Sequence, residues 1–227
     1  QVSPGFFDSV RYNKGGRWDD DAYQTAFSAL VNLYKDGVFS KDTLDLDYGR
    51  SVELFQQGQS VMFLQGSWEN GILSAPFRAA NGIKLTNVSA SAFPTILPNT
   101  DHSIRSFIEV GLAVPEASQN KELATKFVEY VVAGNGVAAW SDTLFVVPSH
   151  VDFELAEGIF STEEARRGYN EVSYLLLNPG SHRNNVSDFS NVVGDTIIAS
   201  IIGDTDHKQQ VEYLQREWDS GRYSNAE

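Results

Sequence analysis

Apolar and polar positions follow a helical period over residues 19–34. Asp19, Asp20 and Asp21 crowd the start, where a helix favours negative charge, and Tyr23, Phe27, Leu30 and Tyr34 follow at spacings of four, three and four. That predicts a helix with one buried face, ended by Gly37. A second helix is expected over 48–57, ended by Gly58, and then a strand over 61–64, where the period shortens to a continuous apolar run. A helix after Trp68 should reach Ala80, with Asn81-Gly82 as its terminator. Two extended segments, 84–93 and 104–114, flank "PTILPNTDHS".

A helix follows over 120–130 with Leu123, Phe127 and Tyr130 on one face, then a short helical piece "NGVAAWSD" and an extended "TLFVVP". From Ser161 the pattern is mostly helical. Ser161 and Glu164 have capping-box spacing, Asn178-Pro179-Gly180 breaks the run, and a helix runs on to Gly203. The last helix, over 205–218, aligns Val211, Leu214 and Trp218. Strands alternating with helices before a helical tail give an α/β class with a mainly helical C-terminal third. There is no internal repeat, low-complexity tract or long linker.

The stretch "SVMFLQGSWENGIL" departs from this plain patterning, because Trp68 stands on the turn leaving a predicted strand, between polar groups. A core tryptophan under a neighbouring helix is the ordinary expectation. The placement also fits a ligand site, since open α/β sheets bind beyond the carboxyl ends of their strands. Gly66-Ser67 would let backbone approach a ligand closely. A flat indole among amides and carboxylates suits a sugar, which has an apolar C–H face and a hydroxyl rim.

Composition narrows the classes. The 227 residues are 41% apolar and 12% aromatic, enough to bury a sizeable core in one large or two small domains. Thirty acidic residues against 17 basic ones leave a formal charge of −13, which argues against nucleic acid and anionic membrane surfaces as partners. Cysteine is absent, so disulfides, thiolate zinc sites and cysteine nucleophiles are excluded. No apolar run is long enough to span a membrane, and the opening residues do not read as a signal peptide.

Motifs of catalysis are missing: no G-x-S-x-G, P-loop, H-E-x-x-H or G-x-G-x-x-G occurs. His102, His150, His182 and His207 lie far apart without metal-ligand spacing, and no cofactor is expected. "DTLDLDYGRSVE" fails the calcium-loop pattern, because Gly49 falls at position five counted from Asp45. "NVS" at Asn87 and Asn185 is a formal glycosylation triplet with no support from context.

The residues 34–73, "YKDGVFSKDTLDLDYGRSVELFQQGQSVMFLQGSWENGIL", resemble the extracellular solute-binding proteins of bacterial ABC importers for carbohydrates. The specific part is the F..G.aaM...GsW pattern, here Phe55, Gly58, Val61, Met62, Gly66, Ser67 and Trp68. "AFPTILPNT", "VGLAVPEASQNKELATKFVEYVV" and "IIASIIGDTDHKQQVEYLQREWD" match the family's later segments, so the resemblance covers almost the entire chain.

The resemblance implies a type II periplasmic-binding-protein fold, with a carbohydrate ligand in a cleft between lobes, lobe closure, and delivery to ABC transporter permease subunits. Trp68 matches the family tryptophan of the sugar platform. Gln65, Ser67 and Glu69 are neighbours placed to reach hydroxyls, and Arg105 and Glu109 lie on the segment resembling the strand that crosses back toward the other lobe. Trp140 and Phe189 are further candidate platforms, but both sit in helical patterns where core packing is the better reading. In these terms residues 1–102 belong to the C-terminal lobe, 103–145 return to the N-terminal lobe, and 146–227 are the helical end of the C-terminal lobe. The fold is expected to be incomplete, because the export signal and most of the family's N-terminal lobe have no counterpart here. The location implied is extracytoplasmic, either periplasmic or at the cell surface with a lipid anchor in the full-length protein, and no membrane insertion of this chain is expected. Three alternatives stay open on the residues alone: a carbohydrate hydrolase using a carboxylate pair, and the same fold binding a peptide or a metal chelate.

Overall fold

The computed structural model describes residues 5–11, 14–95, 98, 104–106, 111–144, 147–148, 155, 158–178, 181–182, 187–203 and 205–223. The chain divides into two units: Gln1–Asp47, Pro94–Phe107 and Asn178–Glu227 form the first, Tyr48–Phe93 and Ile108–Leu177 the second. This division crosses the segments 1–102, 103–145 and 146–227 expected from lobe membership.

The first unit is built from α1 (Phe6–Arg11), α2 (Asp21–Lys35), α8 (Ser187–Ile202) and α9 (His207–Asp219), with a 3-10 turn at Thr43–Asp45. α2 starts where the acidic run predicted: the Arg17 amide donates to the Asp20 carboxylate over 3.0 Å, and Gly37 beyond the helix takes φ 78°. Its buried positions are Phe27 and Val31, which meet Val211 of α9 with Ile197 and Ile201 of α8. The second core of this unit is aromatic. Phe6, Val10, Trp18, Phe189 and Leu214 are buried together, with Tyr23, Trp218 and Tyr223 against them. Trp18 meets Tyr23 edge-on at 5.1 Å and Phe189 at 5.0 Å between ring centroids.

One buried polar contact closes this core. The Trp18 backbone N–H donates over 2.6 Å to Gln215 Oε1, and Gln215, 5% exposed, donates in turn to Asp219 over 2.7 Å. Gln215→Leu removes the acceptor from a buried donor. The expected cost is about 1–3 kcal/mol, a drop in Tm of roughly 2–10 °C in thermal melting.

The second unit holds α3 (Tyr48–Gln56), a 3-10 helix Ser67–Leu73, α4 (Ala75–Ala80), α5 (Lys121–Ala133), α6 (Gly136–Leu144) and α7 (Glu163–Leu177). Its core is Ile72, Leu73, Val88 and Tyr169, flanked by Phe55, Leu85, Ala90 and Phe160. Ser74 is both the N-cap of α4, accepting from the Phe77 amide over 3.2 Å, and the partner of an isolated antiparallel bridge to Phe160.

Three expectations are corrected. Among the described residues the only ladder is a parallel pair, β1 (Arg105–Ser106) with β2 (Ser181–His182). Residues 61–64 and 84–93 join no ladder among the described residues: Val61 lies in a bend and the rest of both segments is irregular. The cap of α7 lies one residue later than expected: Thr162 Oγ1 accepts from the Ala165 amide over 3.1 Å, while Ser161 Oγ accepts from Arg78. The single helix expected after Trp68 is two pieces, broken at Ser74, whose ψ of 128° is extended.

Candidate functional site

The segment 65–70 enters the 3-10 helix from an irregular run through Gly66, and its local geometry is set by Gly66 and Trp68. At Gly66 φ is −85°, a conformation open to any residue, so its small size rather than its backbone freedom is what matters. A Cβ added there would lie 2.2–2.5 Å from three atoms of the Trp68 six-membered ring. The indole therefore folds back over the Gly66 Cα. The expectation that Gly66 keeps room for a ligand to approach backbone is corrected: the space is taken by the indole. Trp68 is half-buried and lies outside the buried core clusters, whereas the residues after it, Gly71, Ile72 and Leu73, are buried.

The polar groups around it differ in their engagement. Gln65 Oε1 accepts from the Gly66 amide over 3.1 Å, which fixes the turn before the ring. Ser67 is half-buried and its hydroxyl bonds to no described residue. The Glu69 carboxylate accepts a short hydrogen bond from the Tyr48 hydroxyl. Tyr48 opens α3 and is 54% exposed, so the pair presents a phenol ring and a carboxylate to solvent. Asn70, 6% exposed, buries an amide nitrogen that meets no acceptor among the described residues. The arrangement offers an apolar plane with hydroxyl, carboxylate and amide groups a few residues from it. No group of three or more His, Asp or Glu side chains that would hold a metal ion occurs among the described residues.

Of the residues singled out from sequence, Gln65, Ser67, Trp68 and Glu69 form this one cluster. Trp140 lies on α6 in the same unit, half-buried, with its indole N–H donating to the Val131 carbonyl over 2.9 Å. That bond ties α6 to α5. Arg105 and Phe189 belong to the first unit. Arg105 is described through its backbone, in β1. Phe189 is 1% exposed, and Trp18, Trp218 and Tyr223 lie within 5.3 Å of its ring centroid, so it is a core residue and offers no platform. Glu109 lies outside the described residues. Sequence reasoning missed Tyr48, whose partner is 21 residues away. The available signal was an aromatic residue placed at a helix start next to the acidic loop.

Three comparisons bear on this site. A family model of bacterial extracellular solute-binding proteins matches residues 3–133, which include the whole of the segment 65–70. No curated protein matches the chain. Two crystal structures of "a putative oligosaccharide periplasmic-binding protein" from Synechococcus sp. MITs9220 resemble it in fold. One matches with a TM-score of 0.59 at 17% identity over 96% of this chain and 58% of its own. The other, in complex with zinc, matches with a TM-score of 0.56 at 16% identity over 97% of this chain and 59% of its own. The chain thus spans well under two thirds of the length of these structures, and its fold is part of theirs.

Proposed function

The chain belongs to the bacterial extracellular solute-binding proteins, and from that premise we propose that it captures a sugar or oligosaccharide outside the cytoplasmic membrane. The observation that carries the reading is the Trp68 indole, held over Gly66 beside the Tyr48–Glu69 pair. An indole plane takes the C–H face of a pyranose. Glu69, Ser67, Gln65 and Tyr48 supply donors and acceptors for its hydroxyls, and a carboxylate already holding a phenol has lone pairs left to accept more. No step of this function is chemical: the ligand is bound, carried and released unchanged. Delivery would be to the permease subunits of an ABC importer, with closure of two lobes around the sugar; Arg105 and Glu109 are proposed contacts from the segment that crosses between them. The neutral ligand also suits a chain of charge −13, which would disfavour anionic solutes.

Micromolar capture requires about 8 kcal/mol. One stack and several hydroxyl contacts at roughly 1 kcal/mol each reach that scale before ordering costs. The test is a thermal-shift screen of the chain against mono- and oligosaccharides, repeated with Trp68→Ala. Sugar at a hundred times its dissociation constant stabilises by about 2.7 kcal/mol, a rise of roughly 5–10 °C for this length. The expected result is such a rise with one group of sugars, lost in Trp68→Ala while that variant keeps a cooperative melt. An equal rise in the variant would remove Trp68 from the site. Silence across the panel would overturn sugar capture by this chain.

A further inference from the structure

A Cβ built on Gly66 would stand 2.2 Å from Trp68 Cζ3, 2.3 Å from Cη2 and 2.5 Å from Cε3. These are three consecutive atoms of the six-membered ring, and their distances are nearly equal. An approach to the ring edge would leave the outermost atom clearly nearest. The Gly66 Cα therefore lies against a face of the indole. The backbone beneath that face is held on both sides: the Gly66 N–H donates to Gln65 Oε1 over 3.1 Å, and the Gly66 carbonyl accepts from the Glu69 amide over 3.1 Å. With φ −85° and ψ 169°, alanine would enter at this position without backbone strain. The clash would be with the far end of a side chain, so the indole and not the backbone must move. Trp68 is half-buried and belongs to none of the buried core clusters, so its displacement leaves the core in place.

We propose that Gly66 is a positioning residue of the sugar site: its bare Cα is the backstop that sets the plane of the Trp68 indole, covers one face of the ring, and leaves the opposite face to stack a single sugar ring. The role presupposes that Trp68 is the sugar platform. Stacking is a sum of short-range contacts, and a gap of about 0.5–1 Å forfeits a quarter to a half of the attraction. A methyl group at Gly66 would tilt or lift the ring by at least that much while keeping its whole area. Gly66 thus acts on the sugar through Trp68, without touching it.

Fluorine NMR of the chain labelled with 5-fluorotryptophan tests this. The label sits on Cζ3, in the plane of the ring and clear of the face that Gly66 covers, and Trp68→Phe assigns its resonance among the four tryptophans. Gly66→Ala is expected to displace the Trp68 resonance alone and to leave the Tm within about 2 °C of the unchanged chain. Its affinity for the sugar that most raises the Tm of the unchanged chain should fall about tenfold, which halves the rise at a sugar concentration of about a hundred times the original Kd. An unmoved Trp68 resonance would overturn the proposal, as would a displaced resonance with unchanged affinity. So would a Tm lower by more than about 5 °C with all the resonances displaced, which would make Gly66 part of the fold and not of the site. Silence of the unchanged chain with every sugar is the failure of sugar capture itself, visible before any variant is compared, and it removes the role of Gly66 as well.

Discussion

Gly168→Ala is expected to destabilise the second unit by about 3 kcal/mol, although the same exchange in an open helix stabilises by roughly 1 kcal/mol. Gly168 is buried in the second turn of α7, where the chain at Ser89 and Ala90 passes against the helix. A Cβ there would stand 2.3 Å from the Ala90 carbonyl oxygen, 2.7 Å from the Ala90 nitrogen and 2.6 Å from Ser89 Oγ. Two of these three atoms are backbone, so no rotamer change relieves the clash. Ser89 Oγ is itself committed, donating to the Glu164 carbonyl over 2.8 Å. The helix must lift off the segment that carries Val88 into the core against Ile72, Leu73 and Tyr169. Gly194, inside α8, is the control, because a Cβ there meets nothing within 4 Å. Gly194→Ala should stabilise by about 0.5–1 kcal/mol. Urea denaturation of both variants gives opposite signs; equal and small effects would mean that α7 and 84–93 are not packed as described.

The contrast between these glycines shows where sequence reading stops. Both interrupt a helical pattern and look alike in one dimension. What separates them is a crossing by residues about 80 positions away, which no local period encodes. Where the determinant is local, the reading holds. The acidic start and Gly37 bounded α2, and Val211 and Leu214 came out fully buried at the expected register of α9. The face of α2 was read slightly off, since Val31 is buried where Leu30 was expected, a shift of one position within the same stripe. The run 61–64 has strand composition, but a strand needs a neighbour, and none of the described residues supplies one. At the site, the Trp68 segment was legible from its polar surroundings and turn residues. Tyr48 was not, because the bond that joins it to Glu69 exists only once α3 and the 3-10 helix are placed.

Arg78→Ala is expected to be as damaging as the glycine substitution, at about 3–5 kcal/mol. Arg78 is 5% exposed and donates to two neutral acceptors, the Ile72 carbonyl over 2.5 Å and Ser161 Oγ over 2.6 Å. One bond holds the end of the 3-10 helix that begins at the Trp68 turn, and the other holds the chain just before α7. Burial lowers the guanidinium's pKa from its ordinary value, and the group still stays charged. Two effects therefore oppose each other. Removing the charge relieves the cost of burying it, whereas removing the donors strands two acceptors and, in the alanine variant, leaves a cavity. Arg78→Met separates them, since it fills much of the volume and abolishes the charge, and replacing buried charges by apolar groups of similar size is often tolerated. Its expected cost is about 1–2 kcal/mol, the part belonging to the two lost bonds. Arg78→Lys keeps the buried charge but cannot span both acceptors with a planar fork, and should fall between the other two. Thermal melting of the three variants orders them Ala, Lys, Met from most to least destabilised. A methionine variant as unstable as alanine would mean that the hydrogen bonds, not volume or charge, hold α4 to the start of α7. An alanine variant close to wild type would mean that Arg78 joins nothing the fold depends on.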